Sequence, residues 1–334
     1  MKRIFIIAEI GQAHEGSLGI LHSYIDAVSE TGVDAIKFQT HIAEAESSSQ
    51  EPFRIKFSMQ DETRFDYWKR MSFSLDQWRG IKKHCDEKKL EFISSPFSLA
   101  AVNILEDLKV LRYKIASGEI ANYLMLDKIR RTGKPVLLST GMSSYEEIQK
   151  CINFFKPYKT PISILQCTTA YPVAPEKLGL NILTELKERF NLPIGLSDHS
   201  GKIYPSLAAT VMGANIIEVH VTFHKEMFGP DTKASLTIEE LKQLVEGIRY
   251  LEMAIKNPVN KDDVESYQSL KVIFGKSLAL NKDLCKGSII VFDDLESKKP
   301  ANCGVPCSEY NLVIGKKLKK DISKYSFLNY DDIE

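Results

Sequence analysis

Residues 194–200 read Ile194-Gly195-Leu196-Ser197-Asp198-His199-Ser200, a short apolar run that stops at an acid and a histidine. A surface turn needs neither, so the pair marks a strand end with work beyond connection. The next β-rich run outward, Asn215–Thr222 (NIIEVHVT), delivers Glu218 and His220 in the same way. Going back toward the N-terminus the pattern repeats in IFIIAEIG, DAIKFQT, EFISSPF, LRYKIASGE, PVLLSTG and ISILQCTT. Amphipathic stretches such as ILHSYIDAVSETG, DQWRGIKKHCDEKK and YEEIQKCINFF separate these runs, and several end in the helix-stopping residue Gly. The runs are apolar rather than alternating, as strands covered by helices on both sides of a parallel sheet must be. Eight βα units within about 255 residues predict a (β/α)8 TIM barrel. A doubly wound open sheet is the other candidate, but no G-x-G-x-x-G follows the first strand.

In a barrel the C-terminal strand ends form the site. Those ends carry Glu9, Lys37 with Gln39, Ser95, Lys114 with Ser117 and Glu119, Ser139, Thr168 with Thr169 and Tyr171, Asp198 with His199, and Glu218 with His220. So many polar groups converging on one face need a ligand to offset their desolvation. His199 and His220 end neighbouring strands, where two imidazoles can share a divalent metal, Mn2+, Mg2+ or Co2+, with open positions for a substrate oxygen. The alternative is that each merely hydrogen-bonds within a polar loop. His14 is expected to face the same mouth, whereas His22, His41, His84 and His224 have no evident pairing. Lys37 and Lys114 with Ser95, Ser117 and Ser139 suit a phosphate, and Gly118 and Gly141 would let backbone N–H groups approach. Alternatively, the lysines pair with Glu9 and Glu119.

Lys+Arg equals Asp+Glu at 44 each, so no global field recruits nucleic acid or an anionic membrane. The opening MKRIFIIAEIG meets Glu9 too early for a signal peptide or a membrane span, and six scattered cysteines fit reduced thiols, so a cytoplasmic enzyme is expected. Cys285, Cys303 and Cys307 lack a fourth ligand at zinc-finger spacing. The barrel is expected over residues 1–257, a polar linker over 258–272, and a small β-rich domain with little helix over 273–334.

Nine segments in order (IIAEIGQAHEGS, IKFQTH, ISSPFS, YKIASGEIAN, LLSTGMSS, CTTAYP, GLSDHSG, IIEVHVT and GPDTKASLT) resemble the sialic acid synthase family. The C-terminal KSLALNKDLCKGSII, ESKKPANCGVP and VIGKKLKKDI resemble that family's antifreeze-like (SAF, β-clip) domain. The resemblance implies a transferase for cell-surface polysaccharide biosynthesis. It condenses phosphoenolpyruvate with an N-acetylmannosamine-type open-chain sugar to a nine-carbon 2-keto acid plus phosphate. By resemblance Lys37, Ser95, Lys114, Ser117, Ser139 and Ser197 hold phosphoenolpyruvate. Gln39, Glu119, Tyr171, Asp231 and Lys299 hold the sugar; Glu9 and Glu218 are the catalytic carboxylates; His199 and His220 hold the metal, Mn2+ first. The family's small domain caps the partner barrel in a swapped homodimer. Departures bear on the sugar: Lys299 stands where an Arg is common and cannot make its bidentate fork, and Thr169 stands where some members have Asn. A 2,4-diacetamido-2,4,6-trideoxyhexose, giving legionaminic or pseudaminic acid, is the alternative acceptor. A metal aldolase on the same barrel, or a Schiff base on Lys114, is the alternative chemistry, and a non-catalytic sugar-binding protein the alternative class.

Overall fold

The computed structural model describes residues 3–55 and 57–334. Its chain divides into two compact units, 1–257 and 258–334.

In the first unit, parallel strands β1 (Phe5–Glu9), β2 (Ala35–Thr40), β3 (Glu91–Pro96), β4 (Tyr113–Ile115), β5 (Val136–Ser139), β6 (Ile162–Cys167), β7 (Ile194–Asp198) and β8 (Ile216–Thr222) pair in the order β3-β2-β1-β8-β7-β6-β5-β4. β3 also lies beside β4, so the circle closes without a ladder at that seam. This is the expected (β/α)8 barrel, with helices α1 (Leu18–Ser29), α2 (Ala43–Glu46), α3 (Arg64–Met71), α4 (Leu75–Glu87), α5 (Leu99–Asp107), α6 (Tyr123–Arg130), α7 (Tyr145–Phe155), α8 (Leu180–Phe190), α9 (Tyr204–Val211) and α10 (Ile238–Lys256). Local chemistry starts several of them. Ser74 with Gln77, Ser144 with Glu147 and Thr237 with Glu240 each close a reciprocal capping box, which satisfies N–H groups the helix cannot. The helices bury apolar stripes such as Leu21, Tyr24, Ile25 and Val28 against the outer strand faces, in one continuous core. No helix among the described residues is long and apolar enough to cross a membrane.

The two-residue strand period decides what enters the barrel. Ile7, Ala35, Ile93, Leu137, Leu165 and Ile216 point inward and form an apolar plug. Burying each large aliphatic contributes roughly 1.5–3 kcal/mol. Two residues further along the same strands come Glu9, Lys37, Ser95, Ser139, Cys167 and Glu218, at the C-terminal end. Gly195 completes the plug layer without a side chain, because a Cβ there would lie 2.5 Å from the Ile216 carbonyl oxygen. The plug is thus the floor of a polar chamber.

In the first unit the short β9 (Leu236–Thr237) pairs beside β8 just before α10, and in the second unit β10 (Ser277–Leu280) and β11 (Leu295–Lys298) pair antiparallel. Isolated bridges such as Leu284 to Ile322 and Ile289 to Lys317 add to a small core of Leu278, Leu280, Ile290, Val305, Val313, Leu318, Ile322 and Leu328. The stretch expected as a polar linker, 258–272, runs into helix α11 (Gln268–Phe274). Its apolar residues Leu270, Val272, Ile273 and Phe274 are all exposed, and seven residues are too few to display a helical period.

Candidate active site

Strand register brings the chamber's charged groups together. Glu9 sits opposite Lys37 on β2 and His220 on β8, and Ser197 sits opposite Glu218. The resulting cavity has a volume of about 490 Å3, within the ordinary range for small-molecule sites. Fourteen of the residues expected at the site line it: Glu9, Lys37, Gln39, Ser95, Lys114, Ser117, Glu119, Ser139, Tyr171, Ser197, His199, Glu218, His220 and Asp231. Lys299 belongs to the second unit.

At the chamber floor Lys37 Nζ lies 2.7 Å from Glu9 Oε2 and 3.6 Å from Glu218 Oε1, and Lys114 Nζ donates to Glu218 Oε1 at 3.0 Å. Ser197 Oγ donates to the same Glu218 oxygen at 3.1 Å. The lysines therefore do pair, but Lys114 reaches across to Glu218 rather than to Glu119. Glu119 instead accepts from Asn122 at 2.7 Å, and burial raises its carboxyl above the usual range. Burial alone would raise Glu218 as well; the charges of Lys114 and Lys37 outweigh that and hold it at about 2. Burial likewise opposes the charge on Lys37, and Glu218 and Glu9 reverse the balance, so its ammonium is held above the ordinary lysine range. Ser139 Oγ and Glu218 Oε2 are buried with no protein partner. Native interiors rarely leave such atoms unmatched, so both point to a polar ligand at this floor.

Across the chamber the His199 and His220 rings stand 5.1 Å apart at 75°. His199 Nδ1 lies 2.9 Å from the Thr168 carbonyl, which fixes the hydrogen there and leaves the Nε2 lone pair free beside the Tyr171 hydroxyl, 3.3 Å away. Burial, then the neighbouring His220, lowers His199 to about 3, so it is a neutral imidazole. Asp231 Oδ2 is 4.0 Å from His220 Nδ1. A Cβ on Gly11, whose φ of +52° favours glycine, would lie 3.5–3.6 Å from Glu9 Oε1, Gln39 Nε2 and the His220 ring, which shows these groups crowding one point. Two imidazoles, one with a carbonyl orienting its far nitrogen, fit a borderline divalent ion. Among the described residues no three His, Cys, Asp or Glu side chains are arranged to close a shell alone. The set suits an ion that completes its shell with substrate or water oxygens, not a structural zinc.

Two expected features differ. Asp198 does not enter the chamber: its carboxylate accepts from Ser200 N at 3.0 Å and Ser200 Oγ at 2.7 Å, closing the turn, and burial raises it to about 6. His14 is buried away from the cavity, its Nδ1 accepting from Gly16 N, and burial lowers it to about 3. Three histidines with no evident pairing in the sequence are paired, His22 with His84 at 2.8 Å on the outer helices and His41 with Glu46 at 2.7 Å in the cavity wall.

That wall escaped the sequence reading. His41, Glu46, Glu51, Arg54, Phe57, Arg64 and Trp68 all line the cavity and all come from the connection between β2 and α4. Arg54 donates to Asp231 at 2.9 Å and covers the Tyr171 ring at 4.2 Å. The available signal was length: a connection far beyond the usual few residues, on the catalytic side of a barrel, is a candidate binding loop.

Residues 24–260 match the NeuB family. The chain is 34% identical to the N,N'-diacetyllegionaminic acid synthase of Campylobacter jejuni over 96% of its own length and 97% of that protein's. It is 33% identical to the human N-acetylneuraminate-9-phosphate synthase, covering 94% and 88% of the two chains. Among solved structures, the N-acetylneuraminic acid synthetase of Leptospira borgpetersenii in complex with citrate superposes with a TM-score of 0.71 at 30% identity, over 80% of this chain and 90% of that one.

Proposed function

The chain belongs to the NeuB family, and on that premise we propose that it is a nonulosonic acid synthase. It condenses phosphoenolpyruvate with the open-chain aldehyde of an N-acetylated amino-hexose, giving a nine-carbon 2-keto acid and inorganic phosphate. The observation that carries the reading is the chamber floor, where two buried lysines and the unmatched Ser139 hydroxyl face a pair of imidazoles across one cavity.

Phosphoenolpyruvate lies on Lys37 and Lys114, with Ser95, Ser117, Ser139 and Ser197 donating to its oxygens. Its C3 bonds to the aldehyde carbon while the aldehyde oxygen takes a proton; water then adds at C2, and the C2–O bond to phosphate breaks. Glu218, held ionised by the lysines, is their counter-charge at the floor until the anion takes its place. Glu9, beside Gln39 and the His220 ring, is the carboxylate placed to move a proton at the aldehyde oxygen. His199 and His220 would hold a divalent ion, Mn2+ before Mg2+ or Co2+, whose chemistry there is Lewis-acid polarisation of that oxygen. Gln39, Glu119, Tyr171 and Asp231 take the sugar.

An N-acetylmannosamine-type acceptor is the first reading. A second, a 2,4-diacetamido-2,4,6-trideoxyhexose, is favoured by the apolar wall of Ile55, Phe57, Phe97, Met142 and Pro230, which suits extra methyl groups. Homodimerisation is part of the same proposal, and the solution mass of the purified chain reads it. The test is phosphate release with phosphoenolpyruvate, Mn2+ and each sugar in parallel. Release with one sugar assigns the acceptor, and release with neither refutes the reading. His220→Ala is expected to abolish release and Mn2+ binding by calorimetry while the melting temperature holds.

A further inference from the structure

His41 sits at the end of β2 in an unusual position. Its ring is sandwiched between Trp68, 3.8 Å away at 18°, and Phe97, 4.5 Å away at 13°, and the Arg64 guanidinium covers the far face of Trp68 at 4.0 Å. The ring is 4% exposed. Nδ1 faces Glu46 Oε1 at 2.7 Å and Nε2 faces Gln39 Oε1 at 3.0 Å.

The orientation of Gln39 follows from its other neighbour. Its amide nitrogen is 3.0 Å from Glu9 Oε1, a carboxylate oxygen that can only accept, so the NH2 group lies on that side. Gln39 Oε1 is thus turned toward His41, where it also accepts from Gln12 Nε2. Both nitrogens of His41 therefore face acceptors, and the hydrogen that Gln39 Oε1 accepts is carried on Nε2. Gln39 is left with one N–H for the cavity and no free lone pair directed there. Glu46 Oε2 is buried, lines the same cavity and has no hydrogen-bond partner.

We propose that His41 and Glu46 form an arm of the acceptor-sugar site: His41 locks Gln39 as a hydrogen-bond donor, and Glu46 Oε2 accepts from a hydroxyl or acetamido N–H of the sugar. The inference rests on the synthase reading for the identity of the acceptor. It adds a chemical demand, because a carboxylate at this point accepts neutral O–H or N–H groups and repels an anionic substituent such as a phosphate. His41 is a positioning residue; Glu46 touches the substrate.

Glu46→Gln, nearly isosteric, and His41→Ala are compared with the wild type in steady-state assays that vary each substrate separately. A hydrogen bond to a charged group supports a rise of about ten-fold or more in KM for the sugar, with KM for phosphoenolpyruvate within two-fold. Equal rises in both constants, or no change in the sugar constant of Glu46→Gln, would overturn the proposal. A second readout is independent of turnover: nitrogen NMR on histidine-labelled protein should show the hydrogen of His41 on Nε2, facing Gln39 Oε1, in the wild type. An Nε2 without hydrogen in the wild type overturns the proposal even if the enzyme proves inactive. Inactivity of the wild type with every amino-sugar would instead refute the synthase reading alone.

Discussion

Replacing Glu218 with Gln tests whether the chamber floor is organised for an anion. Glu218 Oε1 holds Lys114 at 3.0 Å and Lys37 at 3.6 Å with side chains only 3–4% exposed. Its carboxyl is held at about 2, against 4.5 when free. That depression corresponds to about 3 kcal/mol of folding stability. The structural route gives a similar figure: Lys37 keeps Glu9 at 2.7 Å, but Lys114 loses its buried partner, which costs about 3–5 kcal/mol. At about 2–4 °C per kcal/mol for a domain of this size, the variant should melt about 6–12 °C lower.

Phosphoenolpyruvate reverses part of that loss. In the wild type it must compete with Glu218 for Lys114; in Glu218→Gln it meets an ammonium with no partner. Saturating phosphoenolpyruvate should therefore raise the melting temperature of the variant by more than that of the wild type, read by scanning calorimetry with and without ligand. The pH dependence has a fixed sign. A carboxyl depressed on folding contributes stability that is present above about pH 4.5 and lost as pH falls toward 2, with about half gone by pH 3. Urea midpoints of the wild type should fall over that range through this group, and those of Glu218→Gln should lack that component. A variant melting within about 2 °C of the wild type, or a smaller ligand increment in the variant, would refute the reasoning.

Gly141→Ala places a Cβ 2.5 Å from Thr169 Oγ1, 2.9 Å from Cys167 Sγ and 3.0 Å from Ser117 Oγ. Overpacking of this kind costs about 1–3 kcal/mol; because Ser117 is displaced, KM for phosphoenolpyruvate should rise more than KM for the sugar, which initial-rate kinetics will read. Asp198 carries the opposite pH signature to Glu218, since burial raises it from 3.8 to about 6. Its ionised form opposes folding, so stability is gained as pH falls through 6. Between pH 7.5 and 5 that gain is about 1 kcal/mol, and Asp198→Asn should remove it from paired urea titrations.

What could be read from the sequence was set by how local its cause is. Alternation along a strand is local, so the entry of Glu9, Lys37, Glu218 and His220 into one chamber followed once the strands were counted, and the structure places them there. The turn after β7 is local too. An Asp two residues before a Ser is an ordinary turn-closing pattern, and weighing it would have removed Asp198 from the site while leaving His199 in place. The partner of Lys114 is different in kind. Glu119 is five residues away in sequence, yet Lys114 meets Glu218 across the barrel. The shear between strands decides that choice, and no single strand encodes it. The same holds for the wall over the cavity. His41, Trp68 and Phe97 become one stack only because α3 folds back over the ends of β2 and β3, and nothing in the composition of residues 41–72 marks the histidine as the member with two acceptors. A strand end thus says that a side chain enters the site, while the neighbours that set its protonation and direction come from elsewhere in the chain. The features that discriminate one acceptor sugar from another are of this second kind. That is why relatives named for legionaminic, pseudaminic and neuraminic products stand at nearly equal identity to this chain, and why the arm formed by His41 and Glu46 is a better place to look for specificity than the strand-end residues at the chamber floor.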